Sequence, residues 1–283
     1  MINYTERFFD LKLIPISKIK LHETTETKRL RNIFDRIAGS RFLNNPVIIG
    51  KVKDDFILID GANRLSTLQD IGCKLTVAQV IEYYNNKIKL RNWNHLIYDF
   101  DIGLITKFCE ENKLKSRNYN YYYAERLRNK SKISQKHYIV ASVINSDNSA
   151  LLISLPKGFK KIINVLNKFT KLYFGKYRFD RTEEEIKYSE MRKYSRKKGI
   201  LIEFPKFSKS DVVKAAQSKY KIPAGITRHI LVNRVLHIKY EIEKLKDGNN
   251  IEKKSKDLHR YLINKIDTDK VRQYRESVIV FDE

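Results

Sequence analysis

The chain has few of the residues that mark specialised architectures. Of its 283 residues only Cys73 and Cys109 are cysteine, and they form no CxxC. That excludes a disulfide framework and a thiolate zinc site and points to a reducing cytoplasm. Five prolines and ten glycines leave little material for long linkers or low-complexity tails. No apolar run approaches the roughly 18 residues that a membrane span needs, so no membrane association is expected. The opening Met1-Ile-Asn-Tyr-Thr-Glu-Arg-Phe-Phe-Asp10 lacks a basic segment followed by an apolar one, so no signal peptide is expected either.

Acidic residues are also scarce. Asp and Glu number 33 against 57 Lys and Arg, a net charge of +24. The imbalance is uneven: residues 1–110 carry 17 basic and 13 acidic side chains, residues 111–283 carry 40 and 20. A surplus of this size attracts polyanions, which makes nucleic acid a candidate partner. Dispersed lysines solvating helix faces are the plainer reading. The densest basic phrase is Arg192-Lys-Tyr-Ser-Arg-Lys-Lys198.

What is present suits folded domains. Hydrophobic residues make up 42%, with 17 Tyr and 14 Phe, enough for one large core or two smaller ones. The first 85 residues have a β-α-β-β-α-β rhythm. Leu11–Ser17 alternates, with Pro15 suggesting an edge, and Thr27–Ala38 has helical spacing. Pro46–Val52 and Phe56–Asp60 form a hairpin around Lys53-Asp54-Asp55. A helix over Asn63–Ile71 stops at Gly72, and Leu75–Tyr83 is a strand. Further on, helices are predicted over Tyr98–Asn112, Gly158–Phe174, Thr182–Lys197, Lys209–Tyr220 and Ile251–Ile266. Strands are predicted at His137–Ile144, Ala150–Ser154 and Ile200–Phe204, and Thr227–Lys239 is β-rich. Lys115–Lys136 gives no clear pattern. The class is α+β, with a soft boundary dividing 1–110 from 111–283.

Three phrases carry chemistry. Asp60-Gly61-Ala62-Asn63-Arg64 follows a strand and opens a helix, where unpaired N–H groups, the positive dipole end and a guanidinium make an anion site. A plain strand–turn–helix with a surface arginine reads the same. His22-Glu23 follows the first strand; Glu there suits a helix start, or it shares a cleft with Asp60 so that the two carboxylates activate a hydroxyl or bind Mg²⁺. Pro223-Ala-Gly225-Ile-Thr227-Arg228-His229 groups anion donors beside a glycine, or sets Thr-Arg-His on a strand face. Trp93, the single tryptophan, is a core residue or a stacking platform for a nucleotide base.

Together these phrases resemble the free L-serine kinases, archaeal and staphylococcal, within the ParB/sulfiredoxin-like fold. Members of that group show a Leu-His-Glu-like segment, a strand-borne Asp-Gly-His-His-Arg and a Pro-Ala-Gly-Ile-Thr-Arg-His-Ile-Ile-Pro-x-Arg region, which here runs from Pro223 through Arg234. The resemblance implies an N-terminal nucleotide-binding domain with a basic α+β C-terminal part completing the cleft. It implies phosphorylation of free L-serine from ATP or ADP, with Mg²⁺ bridging phosphate oxygens. Glu23 and Asp60 would be the catalytic carboxylates, Asp60 as base or metal-positioning acid. Gly61, Asn63 and Arg64 would cradle the nucleotide phosphates, with Trp93 beside them as a candidate nucleotide contact. His22, Thr227, Arg228 and His229 would hold the substrate. Ala62 and Asn63 replace the two family histidines, and Leu231-Val232 replaces Ile-Pro. A ParB-like DNA-binding or regulatory protein, or a catalytically silent paralogue, is the competing reading.

Overall fold

The computed structural model of the chain describes residues 10–25, 34–35, 37–134, 138–144, 149–183 and 199–273, with side chains for all but 128–134 and 138–144. Strand β1 (Leu11–Pro15) buries Leu13 and Ile14 and lies at a sheet edge, where the missing N–H of Pro15 breaks no ladder. A 3₁₀ turn leads to the short β2 (Ile19–Lys20), and β3 (Phe42–Leu43) follows. β4 (Val47–Val52) and β5 (Asp55–Asp60) form the expected hairpin, and β6 (Leu75–Glu82) completes a sheet of order β1-β6-β4-β5-β2. Val47-Ile48-Ile49 is apolar without alternation because both faces of this sheet are covered. Val47, Ile49 and Leu58 pack with Leu65 and Leu68 of helix α1 (Ala62–Asp70), while Ile48, Ile57 and Ile59 join the core of the following half.

A second, seven-stranded sheet begins with β7 (Lys89–Tyr98). Sequence pattern gives no strand here, because Asn92, Asn94 and His95 are polar yet buried. The strand absorbs Tyr98, and helix α2 runs only over Gly103–Glu111, a correction to the predicted helix from Tyr98. The unassigned stretch becomes β8 (Ser116–Asn120) and α3 (Tyr121–Ser134). β9 (Tyr138–Ile144) and β10 (Ser149–Leu155) pair antiparallel as expected. Helix α4 (Phe159–Thr170) buries Ile163, Leu166 and Phe169, a helical stripe facing the core.

Thr182 lies in strand β11 (Phe179–Glu183), not at the start of a helix. The rest of that predicted helix lies outside the described residues, as do most of Thr27–Ala38 and all of Arg192–Lys198. β12 (Gly199–Glu203) and helix α5 (Lys209–Gln217) match expectation. The N-cap Ser208 and Asp211 bond reciprocally at the helix start. Of the β-rich stretch Thr227–Lys239 only β13 (Thr227–Ile230) is a strand, and a short β14 (Tyr240–Glu241) follows it. A short α6 (Glu243–Lys246) and the amphipathic α7 (Ile251–Asp267) close the described chain. β7 pairs with β11 and β12 along Trp93–Tyr98 and with β13 along Lys89–Asn92. That pairing carries the last third of the chain back to the first sheet.

Candidate functional site

Asp60 ends β5, and Gly61 turns the chain into α1 with φ +97°. A Cβ at Gly61 would lie 2.9 Å from the Arg64 guanidinium and 3.1 Å from Val47. Conformation and space therefore both demand glycine. Gly61 O accepts from Leu65 N at 2.8 Å. The N–H groups before Leu65 are left without intrahelical partners, and no side chain caps them. Arg64 Nη2 donates to Asp60 Oδ2 at 2.6 Å, and Arg234 Nη1 stands 3.6 Å from the same oxygen. Two guanidinium groups thus flank the helix start. Arg234 is held by Gln79, whose side-chain N–H donates to Asn233 O at 3.0 Å and whose carbonyl accepts from Val235 N at 3.1 Å.

The two ends of the chain meet in a short parallel ladder. Ile222 N donates to His22 O at 2.9 Å, Thr24 N to Ile222 O at 2.8 Å, and Ala224 N to Thr24 Oγ1 at 3.0 Å. This fixes Glu23 against the 225–227 turn. Its Oε2 accepts from Gly225 N at 2.9 Å; its Oε1 accepts from Thr227 N at 2.9 Å and lies 2.5 Å from Thr227 Oγ1. Such charge-assisted bonds hold a carboxylate in one orientation.

Asp60, Gly61, Asn63, Arg64, His22, Glu23, Thr227 and Trp93 all line one cleft of about 680 Å³. Ala62 also lines it, so the departure from the family's histidine pair falls on the cleft wall itself. Two predicted site residues do not line it. Strand alternation sends Arg228 to the other face of β13, where its guanidinium stacks on Trp93 at 4.3 Å and pairs with Glu183. His229 is buried, with Nε2 3.0 Å from Tyr83 Oη. Burial lowers its pKa well below the ordinary value. His22 lines the wall, with its Nδ1 2.7 Å from Leu58 O and its Nε2 2.9 Å from Thr227 Oγ1. Burial also lowers the His22 pKa, against the pull of the Glu23 carboxylate.

Several lining residues were not foreseen. Ser40 comes from just before β3, Asn44 and Asn45 from the loop between β3 and β4, and Arg181 from β11. No local motif marks them. Arg234 sits at the end of the Thr-Arg-His motif, which was its only signal. Among the described residues, no group of three or more His, Cys, Asp or Glu could hold a metal.

No protein-family model matches the chain. It is 25% identical over 234 residues, 77% of its length, to an ATP-dependent L-serine kinase of Staphylothermus marinus, covering 84% of that protein. In fold it matches SbnI with C-terminal truncation from Staphylococcus aureus, with TM-score 0.70 and 20% identity, over 94% of this chain and 100% of that one. The chain is thus similar to L-serine kinases in sequence and in fold. A structure of a free serine kinase with one glutamate replaced by alanine, in complex with ADP, matches with TM-score 0.64 and 19% identity. That match covers 84% of this chain and 95% of the other. The α+β architecture of this chain is therefore that of the kinase neighbours. No helix among the described residues is long and apolar enough to cross a membrane.

Proposed function

We propose that this chain phosphorylates free L-serine from a nucleotide, with Glu23 as the base for the serine hydroxyl. The observation that carries the reading is the placement of Glu23. Three donors of the 225–227 turn fix its carboxylate on the same cleft as the Gly61 turn and two arginines. Phosphoryl transfer needs little covalent chemistry from a protein; it needs in-line positioning and charge neutralisation.

In this reading the terminal phosphates lie against the N–H groups of α1, with Asn63, Arg64 and Arg234 taking up negative charge. Mg²⁺ bound with the nucleotide would supply further neutralisation of phosphate charge on this cleft. Asp60 serves the arginines: its ion pairs set both guanidinium groups, and they favour this anchoring role over that of a base. Arg181 is our candidate for the serine carboxylate, since its guanidinium lies against Gly225 beside Glu23. Asn63 keeps a hydrogen-bond donor where the family has histidine; Ala62 does not. Cys73 and Cys109 are both buried and unpaired, which fits a cytoplasmic location.

The test is direct. Protein incubated with Mg²⁺, serine and either ATP or ADP should yield O-phospho-L-serine by mass spectrometry. Glu23→Ala should lower the rate by about 10²–10⁴-fold, the usual contribution of a positioned base, while nucleotide affinity is retained. Product from neither donor, or full turnover in Glu23→Ala, would overturn the assignment.

A further inference from the structure

Thr227 Oγ1 lies between two acceptors, Oε1 of Glu23 at 2.5 Å and Nε2 of His22 at 2.9 Å. A threonine hydroxyl has one proton to donate. The tautomer of His22 follows from its other nitrogen. Nδ1 is 2.7 Å from the carbonyl oxygen of Leu58, which can only accept, so Nδ1 carries the hydrogen. In the neutral ring Nε2 then offers a lone pair to Thr227.

We propose that the Thr227 hydroxyl is a two-position switch, donating to Glu23 while that carboxylate is ionised and turning to His22 once Glu23 has taken a proton. The proposal rests on the kinase reading for the source of that proton. As the bond from the seryl oxygen to the donor's terminal phosphorus forms and the bond from that phosphorus to the leaving nucleotide oxygen breaks, the seryl proton moves to the Glu23 carboxyl group. Protonated Glu23 donates to Thr227 Oγ1, and the hydroxyl's own proton turns to Nε2. One proton has been gained, every donor has an acceptor, and the Glu23–Thr227–His22 group has gone from one negative charge to none without forming an imidazolium. His22 is thus a positioning residue that acts through Thr227: its lone pair makes the protonated state of the base the fully bonded one.

The surroundings keep His22 neutral. It is 5% exposed, and burial and the charge of Lys221 both oppose its protonation. The ring of His229 meets it edge-on at 5.6 Å and is itself held neutral by burial, with Tyr83 Oη on its Nε2 and Lys209 beyond. Asp60 lies across the same cleft, paired to arginines. Glu23 is the one neighbouring charge acting on His22 that favours the cation.

The switch can be read without turnover, by the ¹⁵N resonances of His22 at neutral pH. The wild type should show the neutral Nδ1–H ring with Nε2 not accepting, as in Thr227→Val. Glu23→Ala removes the competing acceptor, so Nε2 should move to its hydrogen-bonded position, and the double variant Glu23→Ala/Thr227→Val should return it. An imidazolium in the wild type, or an Nε2 resonance that ignores Glu23→Ala, would overturn the proposal. Kinetics give a second reading. His22→Phe should lower kcat about tenfold and move the acid limb of kcat/KM to lower pH, with serine KM unchanged. A slower His22→Phe enzyme with its acid limb in place would reduce His22 to a packing role. If no amino acid is phosphorylated, the kinase reading fails while the resonance series still decides the switch.

Discussion

The backbone N–H of Gly225 donates to Oε2 of Glu23 at 2.9 Å, across 202 positions of sequence. Gly225 holds φ +71°, and a Cβ there would collide with the Arg181 guanidinium. The carbonyl of the same residue accepts from Nε2 of His95 at 3.0 Å. One residue therefore ties the proposed base to the buried core of the second sheet.

Gly225→Ala should disturb both Glu23 and Arg181. The left-handed backbone alone costs a non-glycine residue about 1–2 kcal/mol. Displacement of Arg181 should raise serine KM by more than tenfold, while nucleotide KM changes little. Steady-state kinetics with each substrate varied would check this, with thermal unfolding to separate global loss of fold.

Gln79 is buried and brackets Arg234 through the flanking main chain. Gln79→Leu keeps the volume and removes both bonds, each worth about 1 kcal/mol net. Nucleotide KM should rise about tenfold with kcat preserved. Titration of nucleotide by calorimetry checks it, and an unchanged affinity would remove Arg234 from the phosphate site.

Trp93 lines the cleft and is the single tryptophan, so intrinsic fluorescence reports on this site alone. Nucleotide or serine should change the emission, and Trp93→Phe should abolish the signal. Arg228→Ala removes the stacked guanidinium and the Glu183 pair. It should weaken the ligand that quenches Trp93 about threefold to tenfold, as a cation–π contact of this kind contributes.

His95 is fully buried; its Nδ1 accepts from Tyr173 Oη at 2.6 Å, and burial pushes its pKa from 6.5 down to about 3. His22 and His229 shift in the same direction for the same first cause. The unfolded chain therefore binds more protons than the folded one as pH falls below about 6.5. Stability from these rings is complete above that pH and is lost progressively toward the folded value. Tm should fall as pH is lowered from 7.5 to 4.5, and His95→Gln should flatten that dependence. A Tm independent of pH over this range would count against neutral buried rings.

Much of the first sheet was legible in the sequence. The hairpin around Lys53, the helix after Gly61 and the stop at Gly72 follow from turn chemistry and apolar spacing, which act over a few residues. β7 was missed because its buried positions include Asn92, Asn94 and His95. Such residues look like surface in a sequence, and their burial is made tolerable by partners far away, Phe204 O for Asn92 and Tyr173 Oη for His95. The helix expected from Tyr98 began too early for the same reason: Leu96-Ile97-Tyr98 is flanked on both sides by strands that lie 80 or more positions away in sequence.

The sequence by itself determined the local chemistry: a strand ending in Asp60, a glycine that only Gly61 can supply, a helix start with Arg64, and a Glu23 and a Thr-Arg-His phrase without a stated partner. Tertiary structure alone decided which of these meet. Alternation along β13 says that Thr227 and His229 share a face and Arg228 does not. Only the pairing of β13 with β7 and of Ile222 with Glu23 turns Thr227 toward the carboxylate, sends Arg228 behind Trp93 and seals His229 under Tyr83. A period of two fixes relative sides; which side faces a cleft depends on contacts between residues about 200 positions apart, and these leave no mark in local pattern.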